Sequence, residues 1–119
     1  MYKDWVQAAA DLTTAVREVR KGAPDTIKAF SSLARAALES KALDTKTKEL
    51  IALAIAVSIH CEGCITFHAE SAVKLGATRD EVMETIGMAV YMGAGPNLMY
   101  AAQALEAFDQ HLAKKTASE

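Results

Sequence analysis

The stretch "LIALAIAVSIHCEGCITFHAE", Leu50 to Glu70, decides the fold. From Leu50 to Ile59 it is apolar on nearly every side of a helix. A helix without a polar face is a central one, surrounded by other helices or by another subunit. It runs into "HCEGC", where Gly63 is expected to loosen the backbone. A further helix follows through "ITFHAESAVKL" and ends at Gly76, a residue suited to the left-handed closing position. If these two helices form an antiparallel hairpin turning near His60, Glu49 and His68 face each other, because their midpoint falls between Ser58 and Ile59. A carboxylate against an imidazole fixes the tautomer of the ring and raises its basicity.

Outward from this hairpin, helix signals run the length of the chain. Trp5, Ala8, Ala9, Leu12, Ala15, Val16 and Val19 form one apolar stripe over Asp4 to Arg20. "KGAPD" breaks it, and Pro24 can open the next helix, where its missing N–H costs nothing. That helix is expected to turn Ile27, Phe30, Leu33, Ala34 and Leu38 inward. Asp44 or Thr45 caps the central helix. Thr78 and Glu81 have capping-box spacing at the head of "RDEVMETIGMAVYM". "GAGPN", Gly93 to Asn97, reads as a helix stop and restart. Pro96 then begins a last helix with Leu98, Ala101, Ala102, Leu105 and Phe108 on one side. His111, far along that helix, is expected at the surface. Met83, Met88, Met92 and Met99 read as core filling or subunit interface. Strand signals are scarce. The expectation is an all-α fold, one domain over residues 1–119, with about six helices.

Composition narrows the function. Of the 119 residues 51% are hydrophobic and the formal net charge is −2, so no basic surplus exists to neutralise nucleic-acid phosphates. The longest apolar run, Leu50 to Cys61, is about half the ~20 residues that a membrane span needs. Lys3, Asp4 and Asp11 break up any signal-peptide core, so the chain reads as cytoplasmic. Two cysteines in a reducing compartment are poor candidates for a structural staple.

Cys61, Cys64 and His68 stand at i, i+3 and i+7, one face of a helix beginning near Cys61. Free N–H groups and the positive dipole end lower a thiol's pKa there. One thiol can then attack a substrate, and the second can close a disulfide that releases the product. Two other readings stand beside this one. The thiols can be inert and buried. Alternatively, Cys61, Cys64 and His68 can bind zinc, with Glu49, His60 or His111 as fourth ligand, although only one Cys-x-x-Cys knuckle is present.

The segment "KELIALAIAVSIHCEGCITFHAESAVKLGATRDEV" resembles the alkylhydroperoxidase D-like branch of the carboxymuconolactone decarboxylase family. Glu49, then Cys61 twelve residues on, the Cys-x-x-Cys and His68 carry the resemblance. "MGAGP" and the weaker Pro24, Phe30, Leu33 pattern extend it over a family core of about 24–105. The resemblance implies an all-helical fold assembled into homotrimers or homohexamers. It implies a thiol-dependent peroxidase or disulfide reductase acting on a peroxide or disulfide. Its catalytic residues fall on Glu49, Cys61, Cys64 and His68, with Cys64 oxidised, Cys61 resolving and Glu49 and His68 relaying a proton. No bound cofactor is required. A dithiol donor, such as a lipoyl protein, thioredoxin or glutathione, would reduce the disulfide. The alternatives are a decarboxylase or lactone-handling enzyme of the same fold, whose branch does not use Cys-x-x-Cys, and a non-enzymatic redox or metal sensor.

Overall fold

The computed structural model describes all 119 residues, Met1–Glu119, as five helices and no strand. They are α1 (Trp5–Gly22), α2 (Pro24–Leu38), α3 (Thr45–Ser58), α4 (Glu62–Lys74) and α5 (Arg79–Ser118). Each start has a local cause. Asp4 accepts from the Gln7 N–H, Asp44 accepts from the Thr47 N–H, and Pro24 is the first residue of α2. Thr78 and Glu81 close a reciprocal capping box at the head of α5. The positive φ at Gly76, 80°, ends α4 in the left-handed region that glycine tolerates.

The expectation of about six helices is corrected to five. Helical structure continues through the "GAGPN" segment, interrupted only by Ala94 with φ 54° and ψ −140°. A straight 40-residue helix would span about 60 Å, whereas the molecule's longest extent is 38 Å. The two arms of α5 therefore fold back on each other about Ala94. The Arg79 guanidinium, at the start of the first arm, meets the Asp109 carboxylate on the second at 3.0 and 3.2 Å. One residue of non-helical backbone makes the stop and restart expected there, and Pro96 sits where the second arm begins.

The core lies where α3 and α4 pack between these arms. Leu53 and Val57 of α3 and Ile65 and Ala69 of α4 meet Val82 and Ile86 of the first arm and Ala104 and Phe108 of the second. Trp5 of α1 closes one end, fully buried. The second arm presents a run of buried alanines, Ala101, Ala104 and Ala107, and small side chains there let the helices approach closely.

The expectation of an inward apolar face on α2 is corrected as well. No α2 residue is buried, and Phe30 and Leu33 are each 64% exposed. The stripe of α1 is buried only at Trp5 and Ala9, and Ile51 and Ile55 of α3 also reach the surface. Periodicity finds the apolar face of a helix but does not say whether the same chain covers it. No helix is long and apolar enough to cross a membrane.

Candidate active site

Residues Ile59, His60 and Cys61 join α3 to α4. Cys61 is the N-cap of α4, and its sulfur takes the role usually played by a serine or aspartate oxygen, accepting from the Cys64 N–H at 3.2 Å. Cys64 lies in the first helical turn. The two sulfurs are joined as a disulfide across Cα atoms 5.2 Å apart. A cap position surrounded by unpaired N–H groups stabilises a thiolate, so the site suits the reduced dithiol as well as the disulfide.

Gly63 does not loosen the backbone as expected. It lies inside the first turn of α4, and a Cβ there would come within 3.3 Å of the Leu12 side chain. The glycine lets α1 pass close to the Cys-x-x-Cys turn.

The hairpin brings Glu49 and His68 together. Glu49 Oε2 lies 2.8 Å from His68 Nδ1. The Glu49 side chain is 4% exposed and that of His68 33%. An ionised carboxylate only accepts hydrogen bonds, so Nδ1 carries the proton and donates it to Glu49. In the neutral ring this leaves Nε2 as the free, basic nitrogen. The exposed side of His68 borders a cavity of about 360 Å³ between α2 and α3, walled by Leu38, Ile51 and Ile55, with Lys48 beside it. His68 follows Cys64 by four residues on α4, about one turn. No hydrogen bond joins it to either sulfur, so a proton passing between them needs a bridging water or the substrate.

His60 sits in the α3–α4 turn, as expected of it, whereas His111 occupies an unexpected place. His60 has φ 58°, its ring stacks on Tyr100 with centroids 4.2 Å apart, and Nε2 lies 3.3 Å from Asn97 Oδ1. His111 is buried, not at the surface: it is 3% exposed and its Nε2 lies 2.9 Å from Thr66 Oγ1. The Thr66 hydroxyl donates its one proton to the Trp5 carbonyl at 2.7 Å, so His111 Nε2 must donate to Thr66. Burial pushes the His111 pKa below its ordinary value, against the opposing pull of Glu70 and with smaller help from Lys114 and Lys74. Sequence reasoning missed this residue, although Ala101, Ala104, Phe108 and His111 continue one helical face.

Fold and site together define a small all-helical protein with a redox-capable cysteine pair at a helix start and, one turn beyond, a half-buried imidazole paired with a buried carboxylate. The chain belongs to the carboxymuconolactone decarboxylase family, whose pattern it matches over residues 24–107. A carboxymuconolactone decarboxylase family protein from Legionella pneumophila has a similar structure. It is 56% identical with a TM-score of 0.89, over 91% of this chain and 96% of that one. A Thermotoga maritima family member, for which involvement in an antioxidative response has been suggested, is 27% identical with a TM-score of 0.78. That match covers 98% of this chain and 97% of the other. An uncharacterized protein of Haemophilus influenzae is 42% identical over 108 residues, 91% of this chain and 96% of its own length.

Proposed function

We infer that the protein is a thiol-dependent peroxidase and disulfide reductase working in the cytosol. The observation that carries this reading is the Cys61–Cys64 disulfide at the α4 N-cap, with His68 one turn on and held by Glu49. The Cys64 thiolate attacks the distal oxygen of a hydroperoxide. The O–O bond breaks, the alcohol leaves with a proton, and Cys64 becomes a sulfenic acid. The Cys61 thiol then attacks the Cys64 sulfur, releases water and closes the disulfide. His68 Nε2 takes the thiol proton through a bridging water and returns it to the leaving oxygen, and Glu49 stabilises the imidazolium formed in between. A dithiol donor restores both thiols and leaves as its own disulfide. A lipoyl protein, thioredoxin or glutathione supplies that chemistry, with two glutathione molecules needed per turnover.

The apolar surface on α2 and α3 supports association of copies of this chain, which the family resemblance makes a homotrimer or homohexamer. Phe30, Leu33, Ile51 and Ile55 are all exposed in the single chain. An uncovered face of this kind on one domain is an association surface.

The family's description names a second reading, decarboxylation of a lactone acid. Turnover separates the two. Under the peroxidase reading, Cys64→Ser abolishes dithiol-dependent consumption of an alkyl hydroperoxide. Lactone decarboxylation that persists in Cys64→Ser, beside absent peroxide turnover in the wild type, would favour the second.

A further inference from the structure

Helices α3 and α4 end in the same backbone motif. At the end of α4 the Gly76 N–H bonds the Val73 carbonyl and the Ala77 N–H bonds the Ala72 carbonyl. At the end of α3 the His60 N–H bonds the Val57 carbonyl and the Cys61 N–H bonds the Ala56 carbonyl. This paired closure requires its middle residue to be left-handed, and glycine is the usual occupant. Gly76 meets that requirement at φ 80°. His60 meets it at φ 58°, in a region that a residue with a Cβ enters only under strain. The chain thus uses glycine at one of two equivalent corners and keeps an imidazole at the other, directly before Cys61.

The second arm of α5 holds that imidazole. Asn97 is buried, and its Nδ2 donates to the Ala89 carbonyl at 2.8 Å and to Ser58 Oγ at 3.2 Å. With both amide protons committed, Oδ1 faces His60 and accepts from Nε2–H. Tyr100, one turn further along, stacks almost parallel to the ring, at 4°. The kink at Ala94 sets up this arrangement. A Cβ on Gly93 would overlap the Asn97 amide, so only glycine there lets Asn97 reach back to Ala89. The "GAGPN" segment therefore reaches the Cys-x-x-Cys turn through Asn97, Tyr100 and His60.

We propose that His60, pinned by Asn97 and Tyr100, is a positioning residue that holds Cys61 at the α4 N-cap and so stabilises the reduced dithiol. In the oxidised protein the disulfide itself keeps Cys61 beside Cys64. In the reduced protein that link is gone, and Cys61 is held by the α3–α4 corner and by the Ile65 N–H on its carbonyl. There the Cys61 sulfur at the cap still accepts the Cys64 N–H and meets the positive helix end. Loosening the corner therefore costs the reduced form more than the oxidised form.

The test is the equilibrium of the full-length protein with reduced and oxidised dithiothreitol, read as the ratio of dithiol to disulfide by alkylation and intact mass. His60→Gly suits the left-handed corner but removes the ring. Tyr100→Leu leaves His60 in place but removes the stack, and Tyr100→Phe restores it. Both His60→Gly and Tyr100→Leu are expected to lower the dithiol to disulfide ratio about threefold to tenfold, tenfold being about 30 mV for this two-electron couple. Tyr100→Phe keeps the wild-type ratio. A wild-type ratio in His60→Gly overturns the inference. So does a shift in His60→Gly with none in Tyr100→Leu, because the ring would then act without being held; that variant also decides the matter if His60→Gly does not fold. The inference rests on Cys61 and Cys64 being a working dithiol. A wild-type protein that exchanges with dithiothreitol yet ignores peroxide would remove the peroxidase reading and leave this one standing.

Discussion

At the scale of the residue, His68 carries its proton on Nδ1 because the atom it meets there is a buried carboxylate oxygen 2.8 Å away. Glu49→Gln keeps the volume and removes the charge that stabilises the imidazolium. His68→Ala removes the base. General acid–base groups contribute about 100-fold to 10,000-fold, so His68→Ala is expected to slow peroxide-driven disulfide formation by at least about 100-fold, with Glu49→Gln smaller in the same direction. Stopped-flow measurement of thiol loss checks both. A rate in His68→Ala within a few-fold of wild type would remove His68 from the relay. His111 gives a prediction about stability. Its folded pKa lies below the ordinary value of 6.5. Between the two values the unfolded chain binds a proton that the folded chain refuses, so stability rises with pH. This contribution is fully present above about pH 6.5 and is lost as pH falls through the lowered value. Urea unfolding between pH 7.5 and 5 should show that decline, and His111→Gln should flatten it. Equal slopes in the two proteins would count against a neutral, buried His111.

At the scale of the element, the hairpin of α3 and α4 was legible because its signals are local. An all-round apolar segment, a cap at Asp44, thiols at a helix start and a closing Gly76 all act within a few residues. The facing of Glu49 and His68 followed from symmetry about the turn and needed no knowledge of the rest of the chain. Two features were not legible. "GAGPN" reads as a helix stop and restart, and the chain does turn back there, but the means of the turn was hidden. Here an alanine with φ 54° makes the corner, and Asn97 binds the Ala89 carbonyl across it. The role of Gly63 was also hidden, because its neighbour Leu12 lies about fifty residues away in sequence. The kink yields its own expectation. Gly93→Ala forces the Asn97 amide out of place and leaves buried polar groups without partners, a loss of about 2 kcal/mol or more. Chemical denaturation measures it. A stability within about 0.5 kcal/mol of wild type, the range of ordinary surface changes, would mean that the kink does not depend on Asn97.

At the scale of the whole molecule, the core is assembled from α3, α4 and the two arms of α5, and α2 contributes no buried residue. The sequence showed an apolar face on α2 but could not show that its own chain leaves it open. That exposure, with the same on α3, predicts that the protein sediments as an oligomer at micromolar concentration, a trimer or hexamer by the family resemblance, and that Phe30→Glu with Leu33→Glu gives monomers. A wild-type monomer would contradict the assembly. The catalytic claim is tested most directly by titrating the reduced, metal-free protein with an alkyl hydroperoxide while counting free thiols and recording intact mass. The expected result is loss of both thiols and of two hydrogens in mass at near-stoichiometric peroxide, much slower in His68→Ala. Thiols that survive, or that disappear slowly and equally in wild type and His68→Ala, would contradict it.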